Sequence, residues 1–208
     1  MHSLEEQKNI AKEVLHKLEI IDPLTILAGG APRDWFFGNK ANDLDFYIHV
    51  DECMSNTQLR FDRLGLKLKP MEWDESKTGK MYKCMEHLKR IYEGVYKGQK
   101  IQIMVMYKPT TTCVVSHFGT SVCKAWWKGY DVKVTLEFLV SHYLKIIFKA
   151  EDYTAKVLHV NKMVERYPDY KVLTEEALDK QLDLLYRKFN IYPMQCNLYR
   201  KLKERMEK

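Results

Sequence analysis

The feature that most constrains the fold is the stretch from Leu24 to Val50, which reads LTILAGGAPRDWFFGNKANDLDFYIHV. A short apolar run ends abruptly at Gly29-Gly30, and a second apolar run begins with Asp43 and Asp45, two aspartates one residue apart. Apolar runs of this length, bounded by turn residues, are typical of β-strands. Pro32 favours the first turn of a helix between them, because its missing N–H is not needed there. We therefore predict a strand, a glycine turn, a short helix and a second strand that carries two carboxylates.

The rest of the chain combines helical and strand-like patterns. Apolar residues recur at intervals of three and four in several stretches, which predicts helices at residues 4–18, 135–148, 151–167 and 174–189. Two strand-like runs, 88–96 and 100–107, flank Lys97-Gly98-Gln99 and predict a hairpin. We therefore expect an α+β fold with a mixed central sheet flanked by helices. Residues 1–134 would form one domain, and residues 135–208 a mostly helical C-terminal part packed on it.

Composition narrows the kind of partner and the compartment. The 208 residues carry a net charge of +6, which favours an acidic partner such as a nucleic acid or a polyphosphate. The five cysteines form no C-x-x-C pair, so neither a disulfide framework nor a zinc site is indicated, and we expect a reducing compartment. The first residues have the pattern of neither a signal nor a transit peptide, and no apolar run approaches the roughly 18 residues of a membrane span. A cytoplasmic protein without a membrane partner is expected.

Asp43 and Asp45 have the properties of a metal site. They alternate with Leu44 and Phe46, so on a strand both carboxylates lie on one face and the apolar side chains on the other. Two carboxylates at this spacing repel each other unless a cation lies between them. Mg²⁺ suits this set of oxygens, because it takes one or two protein carboxylates and completes its coordination with water and substrate phosphates.

The glycine turn supplies a complementary site for an anion. Gly29-Gly30 allows a ligand to approach the backbone closely, and the following helix directs free N–H groups and its positive dipole end towards that ligand. Arg33, in the first helical turn, could add its charge to a phosphate or pair with Asp34. A triphosphate could then lie across the turn with two metal ions on the aspartates, one activating an acceptor hydroxyl and the other stabilising the pyrophosphate leaving group. An Asp-x-Asp or a Gly-Gly pair alone is weak evidence, whereas their order along the chain, with a helix between them, is far more specific.

The residues from Gly29 to Asp45 resemble a known signature. Gly29-Gly30-Ala31-Pro32-Arg33-Asp34-Trp35-Phe36-Phe37-Gly38, followed by Asp43-Leu44-Asp45, is similar to the G-G-x-x-R-D-x-x-x-G…D-x-D signature of the polymerase-beta-type nucleotidyltransferase superfamily. Within it, the stretch resembles the head domain of bacterial-type CCA-adding enzymes and poly(A) polymerases. The resemblance implies a nucleotidyltransferase fold in which Asp43 and Asp45 hold the catalytic metals, Gly29 and Gly30 contact the triphosphate, and Arg33 and Asp34 shape the nucleotide pocket. The layout of the whole chain also resembles small stand-alone nucleotidyltransferases that bacteriophages often encode.

Departures from the family pattern bear on the activity. Many members place a third carboxylate on a later strand, where this chain has Gln102, although the CCA-adding branch works with two carboxylates. The chain has no second R-R-D block and no E-D-x-x-R block, since Glu151-Asp152 is followed by Tyr153-Thr154-Ala155. Those blocks choose the incoming nucleotide in the CCA-adding branch, so we do not expect templating CCA addition.

Three further residues are candidates for binding or chemistry. Trp126 and Trp127 could stack on a base, but adjacent residues of a strand face opposite ways, so at most one of them does so. Cys123 has no basic or histidine partner nearby in sequence, and we expect it to pack in the core rather than react.

Together these observations predict a Mg²⁺-dependent nucleotidyltransferase that moves a nucleoside monophosphate from an NTP to an acceptor hydroxyl. We expect two Mg²⁺ ions, and RNA, such as a tRNA 3′ end, as the acceptor. Two alternatives stay open: toxin-like transfer to a protein hydroxyl, and a non-catalytic nucleotide- or RNA-binding protein with this fold, which Gln102 and the missing blocks allow. The sequence leaves the preferred NTP and the oligomeric state open.

Overall fold

A computed structural model describes residues 2–50, 57–71, 88–107, 114–115, 118–148 and 154–173 of the chain. The first helix, α1 (Leu4–Glu19), begins after Ser3, whose hydroxyl accepts a hydrogen bond from the Glu6 N–H (3.1 Å). The Glu6 carboxylate accepts one from the Ser3 N–H (2.7 Å), and this reciprocal cap satisfies N–H groups that a helix start leaves free. The predicted helix is confirmed, because the buried side of α1 carries apolar side chains at helical spacing, namely Ile10, Val14, Leu15 and Leu18.

A mixed sheet of seven strands forms the centre of the described chain. In chain order the strands are β1 (Ile26–Ala28), β2 (Asp43–His49), β3 (Leu68–Pro70), β4 (Leu88–Tyr96), β5 (Gln99–Met106), β6 (Ala125–Trp127) and β7 (Val132–Val134). Across the sheet the order is β3-β4-β5-β2-β1-β6-β7; β2 and β5 pair in parallel, and the other described neighbours pair antiparallel. Two short helices belong to this part, α2 (Gly30–Phe36) and α3 (Thr57–Arg63). The predicted α+β class and mixed sheet are therefore confirmed.

The predicted hairpin is formed by β4 and β5. Its turn contains Lys97 and Gly98, both with positive φ (48° and 78°), which is the conformation that a tight two-residue hairpin requires. The exposed Lys97 ammonium lies 2.6 Å from the Glu13 carboxylate of α1. This pair ties the end of the hairpin to the first helix.

Alternation along β2 divides the two faces of the sheet. Leu44 and Phe46 are fully buried in the larger core cluster, which also contains the buried side of α1. Tyr47 lies in a second cluster on the opposite face, together with Met104 and Ile91. Since side chains of a strand alternate, this second face also carries Asp43 and Asp45.

The chain after β7 departs from the prediction at one point. The helix predicted for residues 135–148 is wrong beyond residue 144: α4 spans Leu136–Leu144, Lys145 adopts a left-handed conformation (φ 54°), and β8 (Ile146–Phe148) follows. β8 pairs in parallel with β9 (Lys171–Leu173). The apolar spacing fits a helix, but pairing with a distant segment and the β-branched side chains of Ile146 and Ile147 favour a strand.

The helix predicted for residues 151–167 is α5 (Thr154–Arg166), which ends before Pro168. The helix predicted for residues 174–189 lies outside the described residues. An apolar cluster joins this part to the preceding chain, with Val122 and Cys123 on one side and Ile147 and Met163 on the other. The division at residue 134 stays a prediction. Among the described helices, none combines the length and the apolar character that crossing a membrane requires.

Candidate active site

The two aspartates begin β2 and share one face of the sheet, as the sequence predicts. Leu44, between them, is fully buried on the opposite face. In the antiparallel pairing of β1 and β2, Leu27 lies opposite Phe46, and continuing that register by one residue places Ala28 opposite Asp45. The glycine turn therefore leaves the sheet directly beside the carboxylates.

Asp45 is held in an environment that opposes its negative charge. Its Oδ1 atom is buried and has no hydrogen-bond partner among the described residues. Burial is the main cause that raises the pKa of Asp45 to about 7, and repulsion from Asp43 adds to it. Lys100 and Lys162 act in the opposite direction and lower this pKa. Within the described part of the chain, Asp45 Oδ1 thus has no hydrogen-bond donor at the point where the sequence predicts a cation.

The glycine turn adopts a backbone conformation that a side chain would disfavour, and its role in binding an anion stays a prediction. Gly29 has φ 87° and ψ −123°, in a region of backbone space that strongly favours glycine. Its N–H donates to the Ala125 carbonyl over 2.9 Å, which fixes the turn against β6. Gly29 has no side chain that could cap α2, and no side-chain cap is formed there. The Phe118 ring lies next to the turn, 3.7 Å from the position that a Cβ of Gly29 would occupy.

Arg33 and Asp34 form an ion pair inside the protein. Arg33 is 4% exposed, and its Nε donates to Asp34 Oδ1 over 2.9 Å. A second arginine, Arg166 of α5, donates from Nη2 to the same oxygen over 2.7 Å. Of the two roles that the sequence allows for Arg33, the structure has the pairing with Asp34.

The remaining contacts of Arg33 are to sulfur atoms. Its Nη1 lies 3.2 Å from Cys123 Sγ and 3.5 Å from Met163 Sδ. Burial alone would lower the pKa of the guanidinium, but Cys123 and Asp34 raise it, so Arg33 stays charged. Cys123 is buried, as predicted. That Arg33 and Asp34 shape the nucleotide pocket stays a prediction, and the contacts indicate that they would do so through this network.

Four residues near the site were not identified from the sequence. Lys100 is the register partner of Asp43 on β5, and Lys162 is exposed on α5, four residues before Arg166. Residues at this helical spacing share a face. The fourth is Phe118. The spacing of Lys162 and Arg166 is visible in the sequence, but nothing local indicates that their helix lies against α2.

The two tryptophans lie on opposite faces of β6. Trp127 is 2% exposed in the larger core cluster, with its ring centroid 5.3 Å from that of Trp35 and nearly perpendicular to it. Trp126 is only partly buried, against the cluster that contains Tyr47. Trp127 is therefore a core residue.

The side-chain oxygens of Asp43 and Asp45 are the donors available to the predicted Mg²⁺. Within the described ranges, no group of three or more His, Cys, Asp or Glu side chains is arranged to hold an ion. Two carboxylates, one with a buried oxygen that no described residue hydrogen-bonds, fit Mg²⁺ with most of its coordination supplied by water and substrate oxygens. The residues present therefore fit Mg²⁺, with Asp43 and Asp45 as the side chains that would hold it.

Comparison with known proteins identifies a family and a fold. The model of a family described as Gabija anti-defense 2 (Gad2) family protein matches residues 5–145. No curated protein matches the chain.

Several solved structures share the fold. A tRNA-processing enzyme in an apo form has a TM-score of 0.56 at 15% identity, over 88% of this chain and 49% of that one. The Bacillus stearothermophilus CCA-adding enzyme in complex with CTP has a TM-score of 0.54 at 12% identity, over 83% and 42% of the two chains. The Thermotoga maritima CCA-adding enzyme complexed with tRNA has a TM-score of 0.53 at 16% identity, over 86% and 42%. The chain spans less than half the length of these three proteins, and at such identities the likeness establishes a nucleotidyltransferase-type fold.

Proposed function

The chain belongs to the Gabija anti-defense 2 family, and we propose that it is a Mg²⁺-dependent nucleotidyltransferase that moves a nucleoside monophosphate from an NTP to an acceptor hydroxyl. The observation that carries the proposal is the pair Asp43 and Asp45 beside the Gly29-Gly30 turn, with the buried Oδ1 of Asp45 unpartnered among the described residues. A fold of the nucleotidyltransferase type supports it. Without a cation, the repulsion between Asp43 and Asp45 and the burial of the Asp45 carboxylate destabilise the folded chain.

In the proposed reaction the acceptor oxygen attacks the α-phosphorus of the NTP. A bond forms between that oxygen and phosphorus, the bond from the α-phosphorus to the α,β-bridging oxygen breaks, and pyrophosphate leaves. The hydroxyl proton passes to solvent, so no side-chain base is needed. When bound at Asp43 and Asp45, two Mg²⁺ ions would supply activation of the hydroxyl and stabilisation of the leaving group.

The other residues of the site position the triphosphate. The Gly29-Gly30 turn lets phosphate oxygens approach the backbone, and the first N–H groups of α2 face them. Lys100 and Lys162, which lower the pKa of Asp45, add positive charge near the carboxylates. Phosphoryl-type transfer depends mainly on such positioning and charge neutralisation. Arg33 and Asp34 act by holding α2 and α5 together.

RNA is the proposed acceptor, with a tRNA 3′ end as the first candidate. Two of the structures with this fold contain CTP or tRNA, as their descriptions state. The net charge of +6 favours a polyanionic partner. The family description favours a second candidate, a component of the Gabija defence modified at a protein hydroxyl.

A labelling experiment distinguishes these candidates. Each of the four NTPs, labelled at the α-phosphate, is incubated with the protein, Mg²⁺ and either total cellular RNA or protein extract. We expect label on RNA, and none above background with Asp43→Ala or Asp45→Ala. Asp131→Ala, an exposed aspartate in the turn before β7, is the matched control and should label as the wild type does.

The remaining outcomes bear on the alternatives. Label on a protein instead of RNA would support the second candidate. Stabilisation by an NTP without any pyrophosphate release would indicate a non-catalytic binder and contradict the proposed reaction. Full activity in both aspartate variants would refute the metal assignment.

A further inference from the structure

We propose that the side-chain amide oxygen of Gln102 is an uncharged third oxygen at the Asp43 and Asp45 site, and that Glu93 is the positioning residue that orients it. The inference rests on the proposed function, because it adds a donor to the metal site assigned there. It concerns the residue of β5 that lies directly opposite Asp45 in the sheet.

Three polar residues form a row across neighbouring strands. Asp45 of β2 pairs with Gln102 of β5 in the parallel ladder, and Gln102 pairs with Glu93 of β4 in the antiparallel ladder. Residues directly opposite each other on paired strands present their side chains on the same face. The next row of that face is apolar, with Tyr47, Met104 and Ile91. The polar row therefore ends at an apolar surface and lies at the edge where the carboxylates are.

The hydrogen bond between Gln102 and Glu93 determines which end of the amide faces the aspartates. Gln102 is 8% exposed, and its Nε2 donates to Glu93 Oε2 over 3.4 Å. An ionised carboxylate only accepts hydrogen bonds, so it must take the NH₂ end of the amide. The oxygen and nitrogen of an amide lie on opposite sides of the side-chain axis. With the nitrogen bonded to Glu93 of β4, the proposed direction of the oxygen is towards β2, where Asp45 Oδ1 has no hydrogen-bond partner among the residues that the structure describes.

A neutral oxygen at this position suits the charge of the site. Asp43 and Asp45 lie on the same face of β2, two residues apart, so their negative charges repel each other. A third carboxylate next to Asp45 would add to that repulsion before any cation binds. An amide oxygen can ligate a hard cation, directly or through water, without adding charge. Glu93 lies one strand further from Asp45.

The experiment measures Mn²⁺ binding to the full chain in the absence of NTP, by the electron paramagnetic resonance signal of free Mn²⁺. Gln102→Leu removes the oxygen and should weaken Mn²⁺ binding by about tenfold or more. Glu93→Asp keeps the carboxylate charge but shortens the side chain, so the acceptor no longer reaches the Gln102 amide. Both Glu93→Asp and Glu93→Gln should weaken Mn²⁺ binding by about tenfold. The double variant with Glu93→Gln and Gln102→Glu has the wild-type charge and moves the carboxylate next to Asp45, so it should bind at least as tightly as the wild type.

The matched control is Glu13→Gln, which removes an exposed carboxylate that pairs with Lys97 in the turn of the hairpin. Glu13 belongs to α1, which packs on the face of the sheet opposite to Asp43 and Asp45. It should leave Mn²⁺ binding unchanged. Far-UV circular dichroism checks that each variant is folded. If Gln102→Leu does not fold, the conservative Glu93 variants still test the inference. Wild-type binding in Glu93→Asp with weak binding in Glu93→Gln would show that only charge matters, and would overturn the orienting role.

Failure of this inference differs from failure of the proposed function. Wild-type Mn²⁺ affinity in Gln102→Leu would overturn the role of Gln102 while leaving the two aspartates as ligands. The absence of Mn²⁺ binding in the wild-type protein would refute both. If the variants change Mn²⁺ binding as expected but the wild-type protein transfers label to no acceptor, the metal site would be upheld and the proposed reaction refuted.

Discussion

Asp34 accepts hydrogen bonds through a single oxygen from two arginines, Arg33 beside it and Arg166 from α5, over 2.9 and 2.7 Å. Through this oxygen, the helix that follows the glycine turn is joined to a helix more than a hundred residues later in the chain. Lys162 lies on the same helix as Arg166 and one turn before it. The junction therefore brings a lysine to the carboxylate site as well as stabilising the fold.

Asp34→Asn should destabilise the protein much more than Arg166→Met. Without Asp34, Arg33 stays buried and loses its carboxylate partner, which typically costs about 3–5 kcal/mol of unfolding free energy. The Arg166 side chain is 40% exposed, so solvent screens its interaction and its loss should cost about 1 kcal/mol or less. Urea denaturation followed by circular dichroism measures both. Asp169→Asn, at an exposed pair with Lys145, should have almost no effect, and equal losses in the two main variants would contradict the central role of Asp34.

Lys162→Met should weaken NTP binding without unfolding the protein. We expect the Kd for an NTP with Mg²⁺ to rise about tenfold, which corresponds to about 1.4 kcal/mol. Equilibrium titration gives this value whether or not an acceptor is known. Lys171→Met, which removes an exposed lysine from β9, is the matched control and should bind as the wild type does. An unchanged Kd in Lys162→Met would remove Lys162 from the site.

Asp45 should make the fold less stable as the pH rises. The pKa of Asp45 is about 7 in the folded chain, against an ordinary 3.8, so between these values the folded state holds a proton that the unfolded state has lost. Unfolding free energy therefore falls as the pH rises through this window and stays lowered above it. Without divalent cations, Asp45→Asn should be more stable than the wild type at pH 8 by about 4 kcal/mol, with a much smaller difference at pH 4.5. Urea denaturation at the two pH values tests this, and a difference that does not depend on pH would be inconsistent with it.

His142 should make the fold less stable as the pH falls. Burial is the main cause that lowers its pKa from 6.5 to about 4, and Arg33 lowers it further, although the Val122 carbonyl acts to raise it. The unfolded chain takes up a proton below pH 6.5 that the folded chain refuses until about pH 4, so stability is lost as the pH falls through this window. The expected loss from this group between pH 7 and 4.5 is about 2 kcal/mol. His142→Gln should abolish that part of the pH dependence, and His16→Gln, at an exposed position on α1, should retain it.

The sequence pattern is sufficient to predict those helices and strands whose formation depends mainly on residues close by in the chain. In α1 the apolar spacing and the Ser3 cap act within a few residues, and the predicted and observed helices coincide. The same holds for β2, where strict alternation places Asp43 and Asp45 on one face without knowledge of any neighbouring strand. Residues Ile146 to Phe148 show the limit, since their spacing fits a helix but their partner strand lies at residues 171–173.

Local sequence was therefore enough for the strand, glycine turn, helix and strand of residues 24–50, and for the chemistry that two adjacent carboxylates and a glycine turn suggest. The fold alone decided that Asp45 Oδ1 is buried with no hydrogen-bond partner in the described part of the chain, that Gln102 and Glu93 continue the row of Asp45, and that Lys162 and Arg166 reach the site from α5. The physical reason is range. Backbone conformation and side-chain alternation depend on near neighbours, whereas burial, charge environment and cross-strand partners depend on segments that meet only after the chain has closed long loops.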